Sequence, residues 1–122
     1  MPSPKVLIVD DNENITEVVK DYFELANIEC KAINDGHEGL VEIHNNKYDL
    51  ILLDLAIPRY SGIDILEELK KESIVNKNIV IFTASVVKQA DMEKFLDIGV
   101  KEVLEKPISL ALLESIKQKY LV

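Results

Sequence analysis

The chain has 122 residues, 48% apolar and 30% charged, with a formal net charge of -8. That length suits one domain over residues 1–122 with a real core, and is too short for an added output domain of ordinary size. The acidic balance argues against a nucleic-acid binder, which needs a basic face, and fits a protein that meets basic or neutral surfaces or holds a cation.

Lys5–Val9 (KVLIV) is predicted to be the first strand, and Asn14–Ala26 follows with Ile15, Val18, Val19, Tyr22, Phe23 and Ala26 at helical spacing. Glu29–Ile33 is a shorter, more polar strand, as an edge position would require. Its Cys30 is the single cysteine of the chain, so no internal disulfide is possible and a small buried hydrophobe is expected there. Asp35, with Glu38 three residues later, opens a helix to about Asn45. Tyr48–Asp54 is the most apolar strand and is placed at the centre of the sheet. Gly62 precedes a helix over Ile63–Lys71, and Ile79–Thr83 is the fourth strand. A fourth helix is expected over Val87–Ile98, closed by Gly99 in a left-handed cap. Glu102–Glu105 is the fifth strand, and Ser109 caps a last helix to about Tyr120, with Leu112, Leu113 and Ile116 facing the core.

Strands alternating with helices imply parallel pairing and right-handed crossovers. The expected fold is therefore an α/β, doubly wound (βα)5 three-layer sandwich, flavodoxin-like, with strand order 2-1-3-4-5. Ligands of such sheets bind beyond the carboxyl ends of the strands, where the order reverses. Asp10, Asp11, Asp54, Thr83 and Lys106 each stand at the end of a strand and should meet in one pocket. Taken singly, none carries the claim. Asp10–Asp11 alone reads as a helix N-terminal turn, Thr83 as a strand end and Lys106 as a solvated lysine. His37 and His44 read as solvated helix positions, and Arg59 and Tyr60 as exposed loop residues. No Cys/His cluster suggests zinc, and the start of the chain is neither a signal peptide nor a membrane span, so a cytoplasmic location without membrane contact is expected.

The pair Asp10–Asp11, the segment Asp54–Pro58 (DLAIP) with Gly62 following, Thr83–Ala84 and Lys106–Pro107 occur in order, each after its strand. In this pattern the chain resembles the receiver domains of two-component response regulators, over about Lys5 to Leu121. The resemblance implies that Asp54 accepts a phosphoryl group from the phosphohistidine of a sensor histidine kinase, or from a small phosphodonor. It implies Mg²⁺ held by Asp10, Asp11, Asp54 and the backbone carbonyl of Ala56, and phosphoryl oxygens bound by Thr83 and Lys106. It also implies a cis Lys106–Pro107 bond, and slow self-catalysed loading and unloading rather than enzyme turnover. Further partners would be a histidine phosphotransfer protein and an effector that reads the face of helix 4, strand 5 and helix 5.

The residue types suit that chemistry. A carboxylate attacking an anionic phosphoryl group needs its repulsion neutralised, and Mg²⁺ prefers oxygen ligands such as an acid pair. Three carboxylates packed together should raise at least one of their pKa values, so metal affinity should weaken as pH falls. Val103 stands where the family usually has an aromatic, three residues before the lysine, and valine has no large in/out swing. Ala56 and Ser85 flank the family's hydrolytic water path without a charged group, which implies an intermediate phosphoryl lifetime. A second class is a degenerate receiver, a phosphate-independent interaction module. A flavin-binding protein is disfavoured because the acid-rich DDNEN stretch repels phosphate, and a dehalogenase-type hydrolase because its DxD motif is absent.

Overall fold

The computed structural model describes residues 3–84, 87 and 89–121. Five strands, β1 (Lys5–Val9), β2 (Glu29–Ile33), β3 (Leu50–Asp54), β4 (Ile79–Thr83) and β5 (Val100–Glu105), form one sheet. Every pairing is parallel and the order is β2-β1-β3-β4-β5. Helices α1 (Glu13–Leu25), α2 (Gly36–Asn45), α3 (Gly62–Lys71), α4 (Gln89–Glu93) and α5 (Leu110–Tyr120) alternate with them. This is the doubly wound, flavodoxin-like arrangement expected from the sequence.

The strands sort the core into two layers because successive side chains point to opposite faces. Val6, Ile8, Leu50, Leu52, Val80 and Phe82 face Val19 and Phe23 of α1 and Leu113 and Ile116 of α5. Leu7, Val9, Ile51, Leu53, Ile79 and Ile81 face Ile43 of α2, Ile65, Leu66 and Leu69 of α3, and Phe95. With both faces covered, β3 and β4 are buried at every position, which explains their unbroken apolar runs. Cys30 is buried, and burial pushes its thiol up to about 12.

Helix starts are fixed by side-chain caps that satisfy otherwise unpaired amide N–H groups. The Asn12 side chain accepts from the N–H of Asn14 and Ile15, Asp35 from Glu38, and Ser109 from Leu112. At α3 the box is reciprocal, with Ser61 accepting from the Asp64 N–H and Asp64 accepting from the Ser61 N–H.

Three elements differ by two residues or more from the sequence expectation. β3 begins at Leu50, because the Tyr48 hydroxyl turns away to Glu42 and Asp49 binds the amide of Lys5. The fourth helix is much shorter than Val87–Ile98: α4 ends at Glu93, and a 3₁₀ turn occupies Leu96–Ile98. The Ile98 N–H donates to the Phe95 carbonyl and Gly99 to Leu96, a tightened i→i+3 pattern. Gly99 then takes a left-handed φ of 112° and lets the chain enter β5 at Val100, two residues before the expected start. A register shift opposite Ile79 and Val80 absorbs the extra residue. The parts of the expected helix and loop at Val86 and Lys88, and Ser85, lie outside the described residues. Among the described residues, no helix is long and apolar enough to cross a membrane.

Candidate functional site

The order reversal of the sheet lies between β1 and β3, and the ends of these two strands carry Asp10 and Asp54. Both are buried, at 1% and 4% exposure, although a lone buried carboxylate is strongly disfavoured. Asp11 is exposed beside them. One carboxylate oxygen from each of Asp10, Asp11 and Asp54 lies within 4.8 Å of the others. The acid cluster anticipated from sequence is therefore formed.

Each buried acid is held by its own loop. The Asn12 N–H donates to Asp10 Oδ1 at 2.9 Å, and the Ala56 N–H donates to Asp54 Oδ1 at 3.2 Å. Gly62 is a close-approach glycine: a Cβ there would sit 2.2 Å from the Asp54 carbonyl oxygen. The turn that returns the chain to α3 can therefore press directly against the end of β3.

Lys106 supplies the counter-charge. Its Nζ donates to Asp10 Oδ2 at 2.8 Å and lies 3.4 Å from Asp54 Oδ2. The Lys106 N–H donates to the Thr83 carbonyl at 2.9 Å, tying the end of β5 to the end of β4. The Lys106–Pro107 peptide is cis, as the resemblance implied. Thr83 is buried at 1% exposure at the end of β4. All the strand-end residues anticipated from sequence thus share one edge of the sheet.

The electrostatics follow from this packing. Burial, and then the Asp10 charge, raise the Asp54 pKa against the Ala56 N–H and Lys106, which lower it. Burial alone would lower the Lys106 pKa, but its hydrogen bond and attraction to Asp10, followed by Asp54, raise it overall. The result is a protonated lysine against a crowded carboxylate group.

Asn34 is a site residue that the sequence did not disclose. Its Nδ2 donates to the Asp10 carbonyl at 2.9 Å and to Thr16 Oγ1 at 3.0 Å, clamping the β1–α1 loop. A polar residue after an edge strand gives no hint of such a partner. His37 and His44 stay outlying: His37 is exposed and stacks on the Tyr60 ring at 4.0 Å, and His44 pairs with Glu72 at 2.7 Å. Tyr60, expected as an exposed loop residue, is half-buried and packs against the core. Arg59 is exposed, with a left-handed φ of 71°.

An acid triad faced by a lysine, at the carboxyl edge of a 2-1-3-4-5 sheet, defines a flavodoxin-like α/β domain with a cluster of carboxylates that could hold a cation. Comparison with known proteins narrows that class. The family model for the response regulator receiver domain matches residues 6–117, and the chain belongs to that family. It is similar to the transcriptional regulatory protein CpxR homolog of Haemophilus influenzae, 33% identical over 107 residues, which are 86% of this chain and 44% of that protein. It is also similar to the aerobic respiration control sensor protein ArcB of Escherichia coli, 31% identical over 122 residues, 98% of this chain and 15% of that protein. The chain spans less than half the length of the curated relatives it matches. Among solved structures, the receiver domain of the Francisella response regulator 1452 matches with a TM-score of 0.79 at 31% identity, covering 96% of this chain and 93% of that one. The Thermotoga maritima response regulator TrrA in complex with Mg(2+)-BeF matches with a TM-score of 0.76 at 26% identity, over 95% and 97%. The chain is thus a receiver domain homologous to the response regulators of two-component systems.

Proposed function

We propose that this domain is a phosphoacceptor switch in which Asp54 takes a phosphoryl group from a phosphohistidine, or from a small phosphodonor. One observation carries the reading. The carboxylates of Asp10, Asp11 and Asp54 converge within 4.8 Å on the same side as the Lys106 ammonium. That grouping suits a divalent cation and a phosphoryl group held together, and it has no evident use in stabilising the fold.

The donor set fits Mg²⁺, which favours carboxylate, carbonyl and phosphate oxygens. Asp10, Asp11 and Asp54, with the Ala56 carbonyl, would hold the ion, and when bound it would supply charge neutralisation for the incoming phosphoryl oxygens. The Mg(2+)-BeF complex of the relative TrrA supports this assignment.

The chain's own residues account for the rest. An Asp54 carboxylate oxygen attacks phosphorus in line, an O–P bond forms, the N–P bond of phosphohistidine breaks, and imidazole leaves with that electron pair. The Ala56 N–H fixes the other Asp54 oxygen, so the attacking one keeps its direction. Lys106 moves from the carboxylates to a phosphoryl oxygen, and the Thr83 hydroxyl binds a second. The donors are a sensor histidine kinase or a histidine phosphotransfer protein. An effector then reads the face of α4, β5 and α5, and the domain works in the cytoplasm.

The test is intact-protein mass after incubation with acetyl phosphate and Mg²⁺, beside Asp54→Asn and a chelated sample. A single phosphoryl adduct that requires both Mg²⁺ and Asp54 is expected. A folded protein that gains no adduct, from acetyl phosphate or from a kinase, would overturn the reading in favour of a phosphate-independent interaction module.

A further inference from the structure

The two side-chain hydrogen bonds of Asn34 fix which way its amide points. Nδ2 donates to the Asp10 carbonyl at 2.9 Å and to Thr16 Oγ1 at 3.0 Å. A carbonyl can only accept, so the nitrogen must face Asp10. The Thr16 hydroxyl gives its own proton to the Glu13 carbonyl at 3.2 Å, and therefore accepts from Asn34. Thr16 is 3% exposed, in the first turn of α1. Asn34, itself half-buried, is thus steadied by a helix while it holds a loop.

The Asp10 carbonyl belongs to the peptide group that joins Asp10 to Asp11. The three acids of the cluster differ in what holds them. Asp10 donates its N–H to the Ile33 carbonyl at 3.1 Å, and its carboxylate takes the Asn12 N–H and Lys106. Asp54 takes the Ala56 N–H and faces Lys106. The exposed Asp11 carboxylate has no hydrogen-bond or ion-pair partner among the described residues. Repulsion from Asp10 and Asp54 drives it outward, and the peptide plane beneath it limits where it can go. Among the described residues, Asn34 supplies the one side chain bonded to that plane.

We infer that Asn34 is a positioning residue for the cation site: by fixing the Asp10–Asp11 peptide it sets where Asp11 meets the ion, and so how well the site discriminates Mg²⁺ from Ca²⁺. The inference rests on the reading of the acid cluster as an Mg²⁺ site given above. Mg²⁺ demands near-octahedral ligation at about 2.0–2.1 Å, whereas Ca²⁺ accepts looser arrangements at about 2.3–2.6 Å. A loosened Asp11 therefore harms Mg²⁺ binding first. Thr16 acts through Asn34, by keeping its amide in line.

The isotope-labelled whole chain is titrated with MgCl₂ and, separately, with CaCl₂ at constant ionic strength near neutral pH. NMR follows the Asp11, Asn12 and Ala56 amides. Asn34→Ala is expected to weaken Mg²⁺ binding about 10–100-fold, the usual cost of losing a group that orients a ligand. Ca²⁺ binding weakens less, so the ratio of the two affinities falls. Asn34→Asp keeps the shape, cannot donate, and adds a charge that attracts both divalent ions alike; its ratio falls as well. Thr16→Val moves the ratio in the same direction and adds nothing in the Asn34→Ala background. Partial unfolding would weaken both ions together and leave the ratio where it was. An unchanged ratio in folded Asn34→Ala and Asn34→Asp overturns the inference, as do losses from Thr16→Val that add in full to those from Asn34→Ala. In those cases wild-type Mg²⁺ binding leaves the switch reading standing. A wild-type chain that binds neither ion overturns both. Adduct mass from acetyl phosphate, read on the wild type, reports the acceptor chemistry separately.

Discussion

At Asp54 the site works against the fold. Its folded-state pKa is raised above the ordinary carboxylate value of 3.8, by burial first and then by Asp10. A carboxyl group raised in this way contributes stability at pH values below its ordinary range, and loses that contribution as pH rises through the folded value. At neutral pH the ionised Asp54 therefore weakens the native state. Asp54→Asn, assayed by urea denaturation at neutral pH with chelator present, is expected to raise the midpoint even though it removes the proposed acceptor. A lowered midpoint would show that the Lys106 contact outweighs the crowding. Gly62 makes the opposite case. A methyl group 2.2 Å from the Asp54 carbonyl oxygen cannot be accommodated without moving backbone. Gly62→Ala is expected to lose about 1–3 kcal/mol of stability by overpacking. It should also slow adduct formation, because the displaced backbone carries the proposed nucleophile. Wild-type loading rates in a folded Gly62→Ala variant would contradict the positioning argument.

The elements around the site are unequal in how they are secured. α5 is pinned by the Ser109 cap and by Leu113 and Ile116, which are 0% and 2% exposed. Leu113→Ala is expected to cost about 2–5 kcal/mol, read from the urea midpoint, with full-rate loading in the fraction that remains folded. α4 has a single helical segment, Gln89–Glu93, followed by a 3₁₀ turn. Here the sequence misled for a physical reason. Met92, Phe95 and Ile98 are all buried, and their spacing satisfies a continuous helix as well as a helix relayed into a 3₁₀ turn. Only Gly99, with its left-handed φ, marks the end that both share. The strands were legible because β3 and β4 are covered on both faces, so that every residue before the terminal Asp54 and Thr83 had to be apolar. The acids, Thr83 and Lys106 were legible because each interrupts or follows such a run. Asn34 was not, because its partners Asp10 and Thr16 lie 24 and 18 positions away and nothing local distinguishes it.

Across the whole molecule, three tyrosines clasp glutamates on neighbouring elements: Tyr22 with Glu114, Tyr48 with Glu42 and Tyr120 with Glu102. Burial, and then the hydrogen bond to Glu114, raise Tyr22 from 10.0 to about 12. Tyr48 and Tyr120 are raised by the same causes through Glu42 and Glu102. Lys106 is raised as well, by Asp10 and Asp54 against its own burial. For each group the folded pKa exceeds the unfolded one, so its contribution is complete below the unfolded value and is lost as pH rises through the folded value. In the window from 10.0 to about 12, the unfolded chain releases protons that the native state retains. The urea midpoint is therefore expected to fall steadily through that window, and Tyr120→Phe should flatten the slope. A midpoint independent of pH across the window would remove these clasps from the stability account.

The contact between Lys106 and Asp10 joins positions 96 residues apart. A ribosome delivers Asp10 well before its counter-charge. At ordinary elongation rates the interval is about 5–20 s. During that interval a growing chain carries the carboxylates without the cation that balances them, and the strand that brings the cation is an edge strand of the sheet. In the switch proposed above, competence to be charged therefore waits for β5, and a product terminated before β5 is expected to be silent rather than partly active.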